Sequence, residues 1–217
     1  MSAATAFVIG AFAAASNACS DEFGRATSED AEADVEIDAG ADAEPPYPNP
    51  PYGLRKGSTI RNLVLNTRVP PSTEWVDKPL SDYYDPFGKK GIYGIAIEVV
   101  GAAGFSSPVL TCIEQMTVRW PIYDGRGAKL MAVLIGANAT KAEGNRWFDK
   151  FKIPFAFALD PDSPDGGIGL SSFPTHFFIN PRTMKIVETS MGTPGTGCVF
   201  SPELDALLDS NNAPNPF

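Results

Sequence analysis

Apolar residues in this chain come in runs of two kinds. Ile92–Val100 and Leu130–Ile135 are nearly continuous and rich in β-branched side chains, as in strands buried on both faces. Other stretches have helical spacing. Val109, Ile113, Met116 and Trp120 fall on one face of a helix that Pro121 should end. Trp147, Phe148 and Phe151 mark one face of a second helix over Lys141–Phe151. Thr59–Asn66 alternates in part and predicts a strand, whereas Val69–Asp85, with Pro70, Pro71 and Pro79, predicts a loop. Phe155–Leu159 reads as a strand, and Pro202–Leu208 as a short last helix with Ser201 as its cap. Strands alternating with helices predict a mainly parallel sheet covered on both sides.

The most specific local pattern is Ser172-Phe173-Pro174-Thr175-His176-Phe177-Phe178-Ile179-Asn180-Pro181, followed by Met184-Lys185-Ile186-Val187 and Gly192. It predicts a hairpin whose first strand begins on a proline, the one strand position where a missing N–H is tolerated. The Phe173–Pro174 bond is a natural place for a cis peptide.

Charge divides the chain. The first eighteen residues carry none and are mostly Ala, Val, Ile and Phe, ending in Ser16-Asn17-Ala18, which reads as an export signal rather than a membrane span. Between Ser20 and Pro50 there are ten acids against Arg25, which accounts for the whole net charge of -9. From Pro51 onward sixteen acids match sixteen bases. The acidity therefore belongs to a tether, not a binding face, and no basic stripe points to nucleic acid. The expected organisation is an export signal over 1–18, a disordered acidic and Pro-rich tether over 19–51, a folded domain over 52–210 and a tail over 211–217.

Strand, helix, strand, helix, hairpin and helix, with the Pro174 pattern, resembles the thioredoxin superfamily. The nearest likeness is to periplasmic thioredoxin-like lipoproteins and cytochrome-maturation thiol-disulfide oxidoreductases. The resemblance spans roughly Thr59 to Leu208. It implies an α/β fold with a central mixed sheet, helices on both faces and a cis-proline hairpin. In active relatives a Cys-x-x-Cys opens the helix after the strand matching Ile92–Val100, where the helix N-terminus favours the thiolate. No Cys-x-x-Cys occurs here. If Pro108 is aligned with the motif proline, Phe105 stands for its Trp, Ser106 for the nucleophile and Val109 for the resolving cysteine. Without a gap, the cysteine positions fall on Gly104 and Ser107. Either way the active-site positions Phe105, Ser106, Ser107, Pro108 and Val109 hold no thiol, and serine cannot carry out disulfide exchange.

The remaining candidates follow. Cys112 reads as packing or as a weak catalytic thiol, and an exported protein permits a disulfide between Cys112 and Cys198. Cys19, after Ala18, resembles the lipidated cysteine of bacterial lipoproteins; simple cleavage before it is the other reading. Glu98 matches the position of a buried acid beneath the redox pair in relatives, and burial would raise its pKa. Phe173, Pro174, Thr175 and His176 would form the groove where extended chains pair in active relatives. His176 is the only histidine, so no metal site is expected, and no cofactor. Asp160, Asp162 and Asp165 lie among Pro and Gly in the manner of a turn.

The expected function is an exported, membrane-tethered, redox-inactive module that binds a protein or extended peptide in the periplasm or cell envelope. The alternative is a thiol-disulfide oxidoreductase or peroxiredoxin-like enzyme working through Cys112 with Cys198. A module that only stabilises an envelope assembly is a third possibility.

Overall fold

The computed structural model describes residues 44–101, 107–163, 167–170, 173–191 and 202–214. Its elements are β1 (Val64–Arg68), β2 (Val76–Pro79), a 3₁₀ turn (Leu80–Tyr83), β3 (Gly94–Gly101), α1 (Ser107–Gly125), β4 (Ala128–Ile135), α2 (Lys141–Phe151), β5 (Ala156–Asp160), β6 (Thr175–Asn180), β7 (Lys185–Met191) and α3 (Pro202–Ser210). The strands form one mixed sheet in the order β2-β1-β5-β4-β3-β6-β7. β3, β4 and β5 are parallel, and the outer strands run antiparallel to their neighbours.

Every residue of β3 is buried, as its unbroken apolar run predicts. Side chains alternate between two clusters. Ala96 and Val100 join Val109, Ile113 and Met116 of α1, Trp147, Phe148 and Phe151 of α2, and Leu204, Leu207 and Leu208 of α3. Ile95, Ile97 and Val99 join Ile60, Leu65, Leu80, Tyr84, Ile168 and Met184. The three α-helices thus share one face, which differs from the expected cover of helices on both faces. The crossovers from β3 to β4 and from β4 to β5 step across the sheet in the same direction. With the same hand they must place α1 and α2 on the same side. The opposite face is covered by the 3₁₀ turn and by extended chain.

That extended cover begins before residue 52, so the domain starts earlier than the sequence suggests. Tyr47 lies edge-on against Tyr84, at 5.7 Å between centroids, and its hydroxyl donates to the Ile60 carbonyl at 2.8 Å. Glu44 pairs with Lys90 at 3.3 Å. Tyr52 and Thr59 form a bridge, and Thr59 in turn bridges to Lys185. Proline-rich chain can do this because it needs few backbone partners of its own.

Other boundaries shift for local reasons. Thr59–Leu63 crosses the second face instead of starting the strand, and β1 begins at Val64. The stretch read as a loop contains edge strand β2, ending on Pro79 where a ladder N–H is not required. α1 continues past Pro121, whose ring is on the exposed side, because Tyr123 beyond it is buried in the core. α2 keeps its expected bounds: Thr140 caps it by accepting from the Glu143 N–H at 3.2 Å. Residues 211–214 are not a loose tail, since Asn211 donates to the Tyr93 carbonyl at 2.7 Å and Ala213 packs on the helix-side core.

Asp85 ties the segment before β3 to the β6–β7 turn. Its buried carboxylate accepts from the N–H groups of Lys90 (3.2 Å) and Ile92 (3.1 Å) and pairs with Arg182 at 2.9 Å. Burial pushes its pKa up, but the two backbone donors and the guanidinium outweigh that and hold it below the ordinary carboxylate range.

Two outcomes follow. Asp85→Asn should cost about 2 kcal/mol near neutrality through loss of the charged hydrogen bonds. A lowered carboxyl pKa stabilises above the unfolded value of about 3.9, and that contribution is lost as pH falls toward the folded value. The variant's acid limb should therefore be flatter than wild type in urea titrations from neutrality downward. Tyr47→Ala should lower the urea midpoint by the equivalent of about 2 kcal/mol from lost ring burial and one hydrogen bond. An unchanged midpoint would show that Tyr47 is not part of the domain.

Candidate functional site

The end of the sheet where β3, β4 and β5 finish is where the sequence places the chemistry. β3 ends at Gly101 and α1 starts at Ser107. β6 starts at Thr175, directly after Pro174, and Thr175 lies opposite Val99 of β3. The Phe173–Pro174 bond is cis. The end of β3 and the proline are therefore brought together by the pairing of β3 with β6.

Phe173 caps this end. Its ring packs so closely on Gly101 that a β-carbon there would collide with it. The ring is still 39% exposed, so it forms a rim rather than core. The need for glycine at residue 101 has no signature in the sequence. Val109, the resolving-cysteine position if Pro108 matches the motif proline, is fully buried among α1 and sheet side chains. Phe105 and Ser106 lie outside the described residues, and Ser107 and Pro108 form the first turn of α1.

Cys112 is buried and disulfide-bonded. It is therefore not the lone thiol that a one-cysteine mechanism requires. Cys19 and Cys198, the other two cysteines, lie outside the described residues.

Glu98 and His176 are direct partners across the β3–β6 ladder. By strand alternation both share the helix-bearing face with Ala96, Val100 and Phe178. Glu98 is fully buried. The His176 ring stacks on Phe178 at 5.4 Å between centroids. Burial lowers the His176 pKa below its usual value, opposed by the negative charges of Glu188 and Glu203. Such an imidazole is neutral at pH 7, able to donate or accept one hydrogen bond.

Asp160, at the end of β5, works as a turn organiser. Its carboxylate accepts the Ile168 N–H at 2.6 Å, with Gly167 packed against it. Burial raises its pKa, opposed by the N–H donors of Ile168, Ser163 and Asp162. Among the described residues no group of three or more His, Cys, Asp or Glu side chains could hold a metal, and no helix is long and apolar enough to cross a membrane. Cavities of about 340 Å³, beside Tyr52, Arg61 and Ile168, and about 380 Å³, beside Tyr83, Trp120 and Phe155, do not have Pro174 in their linings. What the proline end offers is the start of an interior strand with an aromatic rim.

No family model matches this chain, and no curated protein matches it. Solved structures do. An AhpC of Enterococcus faecalis superimposes with a TM-score of 0.53 at 14% identity, over 72% of this chain and 92% of that one. A cysteine-to-serine mutant of PrxQ from Xylella fastidiosa gives 0.53 at 15% identity, over 74% and 96%. A candidate thiol:disulfide interchange protein, DsbE, of Chlorobium tepidum gives 0.50 at 20% identity, over 74% and 96%. Identities this low establish a shared fold and nothing finer.

His176 gives a direct test of the site's electrostatics. Its ring protons should titrate by NMR with a midpoint below 6.5, and Glu188→Gln should move that midpoint lower still. A lowered histidine pKa stabilises the fold above the unfolded value near 6.5, and that contribution fades as pH drops toward the folded value. A midpoint above 6.5 would mean that the ring is solvated or paired with a carboxylate.

Proposed function

The chain has the thioredoxin-like fold of thiol-disulfide oxidoreductases and peroxiredoxins, and we propose that here it serves as a redox-inactive binding module. It is exported, held at the cell envelope through Cys19, and binds an extended peptide or protein segment along the Pro174 edge. The observation that carries the reading is the fate of the sulfurs. The positions matching the redox pair hold no cysteine, and Cys112, the one cysteine among the described residues, is bonded and buried. We assign Cys198 as its partner in a structural disulfide. The Phe173 rim and the half-buried His176 suit side-chain contact with an extended segment, while the ladder positions of Thr175 and His176 are taken by β3 and β7. The charge-free leader and the acidic stretch before Glu44 support export and tethering.

The second reading is a redox role for the Cys112 disulfide. The buried Glu98, on the same face of the sheet as Cys112, favours it.

Peptides selected by display on the purified chain should bind the wild type and lose roughly tenfold or more in affinity on Phe173→Asp, as expected when a central aromatic contact is removed. Insulin reduction and peroxide turnover should stay at background. Turnover abolished by Cys112→Ser would replace this reading with the second. Binding that ignores Phe173→Asp would remove the groove from it. Lipid labelling that survives Cys19→Ala would refute the anchor.

A further inference from the structure

We infer that the cavity of about 380 Å³ where β4 and β5 begin is a docking site for an uncharged, proline-rich segment of a partner protein. It belongs to the other end of the sheet from Pro174. Ala156 pairs with Met131 near the start of β4, whereas Thr175 pairs with Val99 near the end of the parallel strand β3. The volume lies within the range of ligand pockets. Its floor is core, with Leu130 2% exposed and Phe155 1%. Its walls present rings: Trp120, Tyr83, Pro70 and Pro154. These walls are formed before anything binds. Trp120 packs on Phe155 at 6.1 Å between centroids, and the 3₁₀ turn over Leu80–Tyr83 sets Tyr83. The turn after β1 closes through the Ser72 N–H to the Val69 carbonyl at 3.0 Å. The buried Tyr123, which carries α1 past Pro121, also brings Asp124 to the rim.

What selects the occupant is the set of open hydrogen-bonding groups. Tyr83 and Trp120 are half-buried, and among the described residues no hydrogen bond occupies the Tyr83 hydroxyl or the Trp120 indole N–H. The indole N–H only donates. Burial, with Asp82 beside it, pushes the Tyr83 pKa up to about 12, so at neutral pH its hydroxyl keeps its proton and donates too. The rim carries one charge of each sign, Lys129 and Asp124, 3.7 Å apart. It therefore favours neither an acidic nor a basic segment. A matching ligand has apolar ring faces, carbonyl acceptors and no N–H group to leave orphaned over a buried floor. Among peptide segments proline meets all three conditions. It has no backbone N–H, its ring lies flat on aromatic walls, and its carbonyls stay unbonded within a polyproline helix. An ordinary extended segment would bring a donor at every residue to a site whose open groups donate.

The proline-rich stretch Pro45–Pro51 of this chain is engaged elsewhere. Its Tyr47 is held on the second face by Tyr84 and the Ile60 carbonyl. The occupant is therefore sought in another protein. The site does not rest on the proposed groove at Pro174, which shares none of its lining residues.

The test is calorimetric titration of the full chain with acetylated, amidated hexaproline and with a Gly-Ser hexapeptide capped in the same way. Hexaproline should bind and the Gly-Ser peptide should not, with little dependence on salt because the rim has no net charge. Tyr83→Phe and Trp120→Phe keep an aromatic ring and remove one donor, and each should weaken binding roughly fivefold or more. Thermal midpoints unchanged by the substitutions exclude misfolding as the cause. Hexaproline that binds no better than the Gly-Ser peptide would overturn the inference, as would an affinity that ignores both substitutions. Acetylprolinamide competing as well as hexaproline would overturn it in favour of a small carbonyl compound. A Pro214→Ser/Pro216→Ser chain that binds hexaproline far more tightly than wild type would show that the chain's own 214–217 stretch is the occupant. Neither peptide is selected at the Pro174 end, so failure of either proposal is seen apart from the other.

Discussion

The strand β3 sets the terms for the rest of the molecule. It lies inside the sheet with β4 parallel on one side and β6 antiparallel on the other, and none of its side chains reaches solvent. Both faces must therefore be covered. Two crossovers running the same way commit α1 and α2 to one face, and α3 joins them there. Only the chain before β3 and the segment around Ile168 remain for the other face. This explains why a proline-rich stretch that looks like linker becomes part of the domain. Without Tyr47, Leu54, Ile60 and Leu63, the side of the sheet carrying Ile95, Ile97 and Val99 would have much less cover.

The sequence revealed most where a pattern is enforced by local physics. Continuous β-branched runs located β3 and β4, and an aromatic stripe between Thr140 and Lys152 located α2. The Phe173–Pro174 hairpin pointed to the fold, because a proline at a strand start has few alternatives. What could not be read depended on partners distant in sequence. Pro121 looks like a stop until buried Tyr123 shows why the helix continues. Pro45–Pro51 has the composition of a tether, and only the Tyr47 contacts with Tyr84 and Ile60 place it in the fold. Both errors have the same origin: tertiary packing overrode a local preference.

At the candidate site the division falls elsewhere. That Phe173, Thr175 and His176 lie together beside the end of β3 follows from the hairpin, and the β3–β6 ladder places them there. The closeness of Phe173 to Gly101, and the pairing of Glu98 with His176, depend on register. A single-residue slip would send both of those side chains to the opposite face. Nothing in a one-dimensional pattern fixes that choice.

The packing also bears on why the sulfurs can be absent without loss of the frame. A dithiol site needs its cysteines beside solvent, at a helix N-terminus where charge on sulfur is stabilised. Here Val109, standing where the second sulfur would align if Pro108 matches the motif proline, is sealed into the hydrophobic layer, and Phe173 lies over the strand end. An aromatic rim thus stands beside the strand end where relatives present a nucleophilic thiolate. Among the described residues this end offers shape, an aromatic rim and the His176 imidazole. Under the proposed function, these are the features that would recognise an extended chain.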